Sequence, residues 1–209
     1  MSTFVTLTAL GILLGIVLMQ LFKKSTPAPA PAVDLANLKV TDARAGDALS
    51  ISGAGDNYTD LDFTADRLTR FDAGTRRWFE LSGPYLERRV ALRVAGDDEV
   101  EVSLHSDPRK LTVEDLGLAE EELAEMDERQ NTADSFEFDG KVWLYRLSLE
   151  VHATRDGQAA AAGFYYWEFQ QQAGKGLLAV RKAEGEPFAV TLYTGISAAD
   201  VTIYRGRSS

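Results

Sequence analysis

Two kinds of hydrophobic pattern divide this chain. Residues 4–22, FVTLTALGILLGIVLMQLF, carry no charged side chain, and at helical rise they extend about 28 Å, close to the thickness of a hydrocarbon core. From about residue 38 onward, apolar and polar residues mostly alternate, which is typical of strands with one buried face. The pattern predicts a transmembrane anchor with a basic stop over residues 1–24 and a β-rich domain over residues 38–209.

The polar segment after the anchor predicts how the domain is oriented. Lys23 and Lys24 directly follow the apolar run, and positive charge marks the cytoplasmic side of a membrane helix. Residues 25–37 begin STPAPAPA, a Pro/Ala linker that favours an extended spacer. We expect a single-pass protein of the cell membrane, with its N-terminus outside and its main domain in the cytoplasm. The alternative is a signal peptide cleaved near Ala32, but signal peptides carry positive charge before the apolar run.

The anchor predicts contacts of its own. Residues 4–22 make the lipid bilayer the first expected partner. Gly11 and Gly15 form a G-x-x-x-G pair within it, and small residues one turn apart let two membrane helices approach closely. This pair therefore allows a homodimer through the anchor.

The β-rich part contains an internal duplication at an offset of 88 residues. Residues 61–67, LDFTADR, align without a gap on 149–155, LEVHATR, and WFEL at 78–81 aligns on YWEF at 166–169. The apolar alternation keeps its phase throughout, which indicates two related units. The predicted fold is mainly β, with antiparallel sheets from two four-stranded units, about 45–106 and 135–205, joined by one acidic helix at about 112–129. One eight-stranded barrel and two small sheets both remain open.

The duplicated charges predict a strand register. A two-residue hairpin turn in the run QAGKG places Glu168 opposite Arg181, and the equivalent register in the first unit places Glu80 opposite Arg93. Each pair is then a structural cross-strand ion pair. The alternative is a hydrolase that uses Glu80 and Glu168 as acid and base, which requires both units to face one cleft.

Composition excludes several functions. The chain has no cysteine, and residues 25–209 hold 20 basic and 32 acidic side chains, a net charge of −12. Disulfides and thiolate chemistry are excluded, and nucleic acid is not an expected partner. His105 and His152 lie far apart in sequence without metal-ligand spacing, so we expect no metal, no cofactor and no catalytic residue.

Two surface features are candidates for binding. The acidic helix predicts a solvated face, or alternatively a surface for a cation, a polyamine or a partner, formed by Glu120, Glu121, Glu122 and Glu125. The run FYYWEF at 164–169 places alternate aromatic rings on opposite faces of a strand. One set belongs to the core, and the other is exposed or covered by another element.

The segments VTDARAGDALSISG, WFEL, YYWEF and LTVEDLGLAEEELAEMDE resemble the bacterial domain-of-unknown-function family 4178 over residues 38–205. The resemblance implies a neighbourhood of membrane-stress proteins, small membrane proteins and a polyamine aminopropyltransferase. It supplies no catalytic residues, because the family defines none. The expected function is a membrane-tethered, non-enzymatic binding or scaffold domain with an unknown protein partner. The alternatives are an acidic cation- or polyamine-binding accessory protein and the hydrolase.

Overall fold

The computed structural model describes residues 38–96, 99–159 and 163–206. The predicted anchor at 4–22, with Gly11 and Gly15, and the linker at 25–37 lie outside the described residues. Among the described residues, no helix has both the length and the apolar character needed to cross a bilayer.

The described chain is mainly β, as the alternation predicts, with antiparallel strand pairing throughout and one α-helix. The helix, α1, spans Glu120–Arg129. The thirteen strands are β1 (Ala48–Ile51), β2 (Leu61–Thr64), β3 (Arg67–Asp72), β4 (Arg77–Tyr85), β5 (Arg88–Ala95), β6 (Glu101–His105), β7 (Ser135–Phe138), β8 (Lys141–Arg155), β9 (Gln158–Ala159), β10 (Phe164–Gln171), β11 (Gly176–Ala183), β12 (Ala189–Ile196) and β13 (Val201–Tyr204).

Eight of the strands form one closed barrel. Their order around the ring is β10-β11-β12-β6-β5-β4-β3-β8, and β8 pairs back to β10. The 15-residue strand β8 makes this closure, because one of its edges pairs with β10 and the other with β3. Of the two arrangements that the sequence leaves open, the structure has the single closed barrel.

The outer face of the barrel is apolar on two sides, and each side has a cover. A small sheet in the order β13-β1-β2 packs on the first side, where Leu49, Ile51 and Phe63 meet Leu81 and Leu92. Helix α1 and β7 cover the second side over a cluster that includes Leu123, Met126, Trp143, Trp167, Phe169 and Leu178. A third cluster, which includes Phe71, Trp78, Tyr166 and Tyr193, fills part of the interior.

The predicted register is confirmed in one hairpin and wrong in the other. In the first unit, Glu80 lies opposite Arg93, as expected. In the second, Glu168 lies opposite Ala179, and Arg181 lies opposite Tyr166. The cause is a four-residue loop, 172–175, between β10 and β11, where a two-residue turn was expected.

The predicted helix also begins later than expected. Thr112 and Asp115 exchange backbone-to-side-chain hydrogen bonds, but they begin only a single 3₁₀ turn. This turn ends at Gly117, whose left-handed backbone (φ 73°) cannot continue a helix. Helix α1 therefore starts at Glu120, where the Glu122 carboxylate accepts a hydrogen bond from the Ala119 N–H.

Candidate functional site

The barrel interior holds a buried charge network centred on the two duplicated glutamates. Strand alternation turns Trp78 and Glu80 of β4 inward, together with Tyr166 and Glu168 of β10. The side chain of Glu168 is 1% exposed, and that of Arg93 on β5 is 3% exposed. Arg93 Nη2 lies 2.9 Å from Glu168 Oε2. This ion pair joins the first sequence unit to the second across the interior.

Two further groups complete the surroundings of Glu168. The Tyr166 hydroxyl donates to Oε2 at 2.9 Å, and burial raises the pKa of Tyr166 well above its usual value, so the hydroxyl keeps its proton. Arg146 lies at a register shift between β8 and β10, and its Nη1 is 3.0 Å from Glu168 Oε1. Its other terminal nitrogen binds Glu101 Oε1 at 2.9 Å. Although burial opposes ionisation of Glu101, the contact with Arg146 holds its pKa below the usual value.

The Glu80 carboxylate has the reciprocal arrangement. It accepts hydrogen bonds from Arg181 Nη2 and from the Tyr193 hydroxyl, and burial raises the pKa of that tyrosine. The ion pairs are therefore crossed between the repeats: Glu80 pairs with Arg181, and Glu168 pairs with Arg93. The expected pairs within each hairpin, Glu80–Arg93 and Glu168–Arg181, are replaced by these crossed pairs.

This geometry determines what the two carboxylates can do. Both face the same interior, which the hydrolase alternative requires. However, each is paired with a guanidinium and accepts a hydrogen bond from a tyrosine hydroxyl, which is the environment of a structural ion pair rather than of a free general base. The network therefore connects the two halves of the barrel. Recesses of about 690 Å³ and about 790 Å³ open at its two ends.

A separate groove of about 710 Å³ lies on the outside, between α1 and the barrel; we call it the aromatic groove. Its floor is formed by Tyr165 and Trp167, the outward residues of β10, whose ring centroids are 6.1 Å apart. Tyr165 is 57% exposed, whereas Trp167 is buried and its indole N–H donates to the Leu123 carbonyl at 3.1 Å. This hydrogen bond fixes the indole ring against α1.

The two walls come from elements far apart in sequence. Helix α1 contributes Glu120, Ala124 and Asp127, which are spaced i, i+4 and i+7 and so share one helix face. The connection from β11 to β12 contributes Glu184 and Phe188 on the opposite side. Ala124 contributes only a methyl group to the wall formed by α1.

The charge of the aromatic groove is strongly negative. Glu120, Asp127, Glu150 and Glu184 all line it, and within the described ranges no Lys, Arg or His nitrogen lies within 4.0 Å of their carboxylates. The basic residue that lines it is Lys182, whose ammonium nitrogen is 4.5 Å from the centroid of the Phe188 ring. This contact is a cation–π interaction.

The acidic surface predicted on α1 is divided among three roles. Glu120 lines the aromatic groove. Glu122 caps the helix, and Glu125 pairs with Arg129 at 3.0 Å. Glu121 is exposed outside the groove. The structure therefore does not bring the four glutamates together at one point.

The histidines also lie in separate places. His105 Nδ1 is 2.9 Å from the Leu192 carbonyl oxygen, and His152 is exposed. Within the part of the chain that the structure describes, no group of three His, Cys, Asp or Glu residues is placed to hold a metal ion.

Sequence reasoning found part of the aromatic groove. The FYYWEF run indicated alternate aromatic rings on two faces, and the outward rings of Tyr165 and Trp167 form the floor. Asp127, Glu150 and Phe188 were missed as groove residues, because they are far apart in sequence and only the helix–barrel packing brings them together.

The chain matches no protein-family model, no curated protein and no solved structure. The resemblance to family 4178 therefore stays a prediction.

Proposed function

We propose that this protein is a membrane-tethered, non-enzymatic binding module whose ligand site is the aromatic groove. One observation carries the proposal: the groove is open, and it combines an exposed aromatic ring, Tyr165, with carboxylates that have no basic partner within the described residues. Exposed aromatic area beside a few polar groups is typical of small-molecule sites. A volume of about 710 Å³ is within the usual range for such sites.

The non-enzymatic part of the proposal is supported by the surroundings of the reactive groups. Glu80 and Glu168 are bound by arginines inside the barrel. Among the described residues, the side chains that line the groove include no serine, threonine or histidine, so it lacks the pairing of a hydroxyl nucleophile with a histidine base that is used in acyl transfer. Binding without turnover therefore fits this site better than hydrolysis.

The membrane tether in this proposal is inferred from the sequence alone. A charge-free run at 4–22 followed by Lys23 and Lys24 would hold the domain at the cytoplasmic face, with residues 25–37 as a spacer. A link to bacterial membrane stress comes only from the resemblance to family 4178, and a protein partner is part of the same proposal.

Ligand-observed NMR on the full chain in neutral-detergent micelles tests the binding role. The probe is a mixture of anionic, cationic and neutral fragments. We expect a subset to bind the wild type and to lose binding in Ala124→Trp, which adds an indole ring to the wall of the groove. Glu121→Trp is the matched control, because it adds the same ring to the exposed part of α1 outside the groove.

Two results would contradict the proposal. The first is a fragment mixture that gives the same signals with wild type and Ala124→Trp, which would remove the groove as a binding site. The second is chemical conversion of a bound fragment during prolonged incubation, followed in the same spectra, which would remove the non-enzymatic assignment.

A further inference from the structure

We propose that the ligand of the aromatic groove is a small organic ammonium ion, held by the aromatic floor and the surrounding carboxylates. This inference rests on the proposed binding function and adds the chemical class of the ligand. It also places cation binding in the groove, away from the helix face formed by Glu121, Glu122 and Glu125.

The first argument is charge complementarity. Elsewhere in the domain many carboxylates have an arginine partner, as in Asp66 with Arg89 at 2.6 Å and Asp107 with Arg109 at 2.7 Å. The four groove carboxylates have no such partner among the described residues, and Lys182 alone offsets them. A bound anion would meet uncompensated negative charge, whereas a cation would be attracted.

The second argument is the chemistry of the floor. The ring of Trp167 lies 6.1 Å from the ring of Tyr165 and 6.2 Å from the ring of Phe188, measured between centroids. Aromatic faces attract ammonium groups through their quadrupole, and the exposed ring of Tyr165 offers such a face. A ligand with an apolar outer shell and a positive charge satisfies both the rings and the carboxylates.

Lys182 gives a third, independent argument. Its ammonium nitrogen already lies 4.5 Å from the centroid of the Phe188 ring, so the groove holds an ammonium group supplied by the protein itself. An incoming cation would compete with this side chain for the same ring and would be repelled by its positive charge. Removal of the lysine charge should therefore strengthen binding, whereas a purely structural role of Lys182 predicts no gain.

The geometry disfavours a metal ion as the occupant. Metal ions with oxygen ligands need several donors converging on one point. In the described portion of the chain, no such group of three His, Cys, Asp or Glu residues exists. The carboxylates surround the groove instead, which suits a larger cation with dispersed charge.

Isothermal titration calorimetry on the full chain in neutral-detergent micelles at physiological salt tests the inference with three probes. Choline supplies a quaternary ammonium, 3,3-dimethylbutanol is its neutral isostere, and Mg²⁺ reports attraction to carboxylates alone. We expect choline to bind saturably and equimolar Mg²⁺ not to compete with it. The affinity for the isostere should be at least about tenfold weaker, because both the charge and the cation–π attraction are lost.

Variants locate the effect. Tyr165→Leu and Glu150→Gln should each weaken choline binding about two- to fivefold, the scale of an exposed cation–π contact or ion pair. Lys182→Gln should strengthen it by a similar factor. Lys141→Gln is the matched control, because it removes the same charge from an exposed residue at the start of β8, outside the groove.

The results separate this inference from the proposed function. Equal binding of choline and its isostere, competition by Mg²⁺, no saturable heat with choline, or no gain in Lys182→Gln relative to Lys141→Gln would each overturn the ammonium assignment. In all of these cases the groove still stands as a binding site if fragments lose binding in Ala124→Trp. If the fragments bind Ala124→Trp as well as the wild type, the proposed function itself is contradicted.

Discussion

At the scale of single residues, the crossed ion pairs are the main feature of the barrel interior. A buried charge is costly unless an opposite charge and hydrogen bonds compensate it. Glu168 meets this requirement with Arg93, Arg146 and Tyr166, at distances of 2.9 to 3.0 Å. The stability of the domain therefore depends on a side chain that a purely apolar core would not contain.

Glu168→Gln should lower the free energy of unfolding by about 3–5 kcal/mol, because Arg93 would be left buried without its counter-charge. Glu137→Gln, on the exposed face of β7, is the control and should change the free energy of unfolding by no more than about 0.5 kcal/mol. Urea unfolding followed by tryptophan fluorescence measures both variants. A change for Glu168→Gln as small as that of the control would show that the ion pair does not stabilise the fold.

At the scale of elements, strand β2 lies directly on β4 at Gly83. A Cβ atom at this position would lie 2.1 Å from the Thr64 carbonyl oxygen and 2.7 Å from the Phe63 ring. The glycine is thus required for space, and it allows the small sheet to approach the barrel closely.

Gly83→Ala should destabilise the domain by about 1–3 kcal/mol, because the backbone of β2 must move away from β4. The neighbouring Ser82→Ala changes one side chain on the same strand without adding a Cβ. The measurement compares the urea concentrations at which Gly83→Ala and Ser82→Ala are half unfolded. Equal concentrations would mean that β2 does not pack closely at Gly83.

The elements also show where sequence reasoning reaches its limit. Alternation predicted the strands, and the tight first hairpin fixed the position of Arg93 opposite Glu80. In the second hairpin the predicted register was shifted by two residues, and a shift of two leaves every side chain on the same face. Alternation therefore cannot detect the four-residue loop at 172–175, whereas the later start of α1 has a local signal in Gly117.

At the scale of the whole molecule, barrel closure and the aromatic groove depend on contacts between distant segments. The closing pairs join β3 to β8 and β6 to β12, and no local pattern specifies them. The same holds for the groove, where Glu120 and the aromatic run were predicted separately but their proximity was not. The predicted duplication limited the choice to two architectures, and the long strand β8 is the feature that distinguishes them.

The membrane orientation is the prediction that concerns the whole chain. Reporters fused to the N-terminus and after Ser209 should give an external signal and a cytoplasmic signal, respectively, because Lys23 and Lys24 retain the C-terminal side of the apolar run inside. Replacing both lysines with serine should reduce this bias. A mature protein that begins near Ala32 and remains soluble after fractionation would contradict a retained anchor.

The crossed pairs have a consequence for the origin of the fold. Each repeat carries one acidic and one basic member of the network, and each finds its counterpart in the other repeat. An ancestral half-length polypeptide with both residues would be self-complementary under a twofold axis, so two identical copies would meet the same electrostatic requirement. If the two units arose by the predicted duplication, the barrel then corresponds to the fusion of a homodimer whose subunits already exchanged these charges.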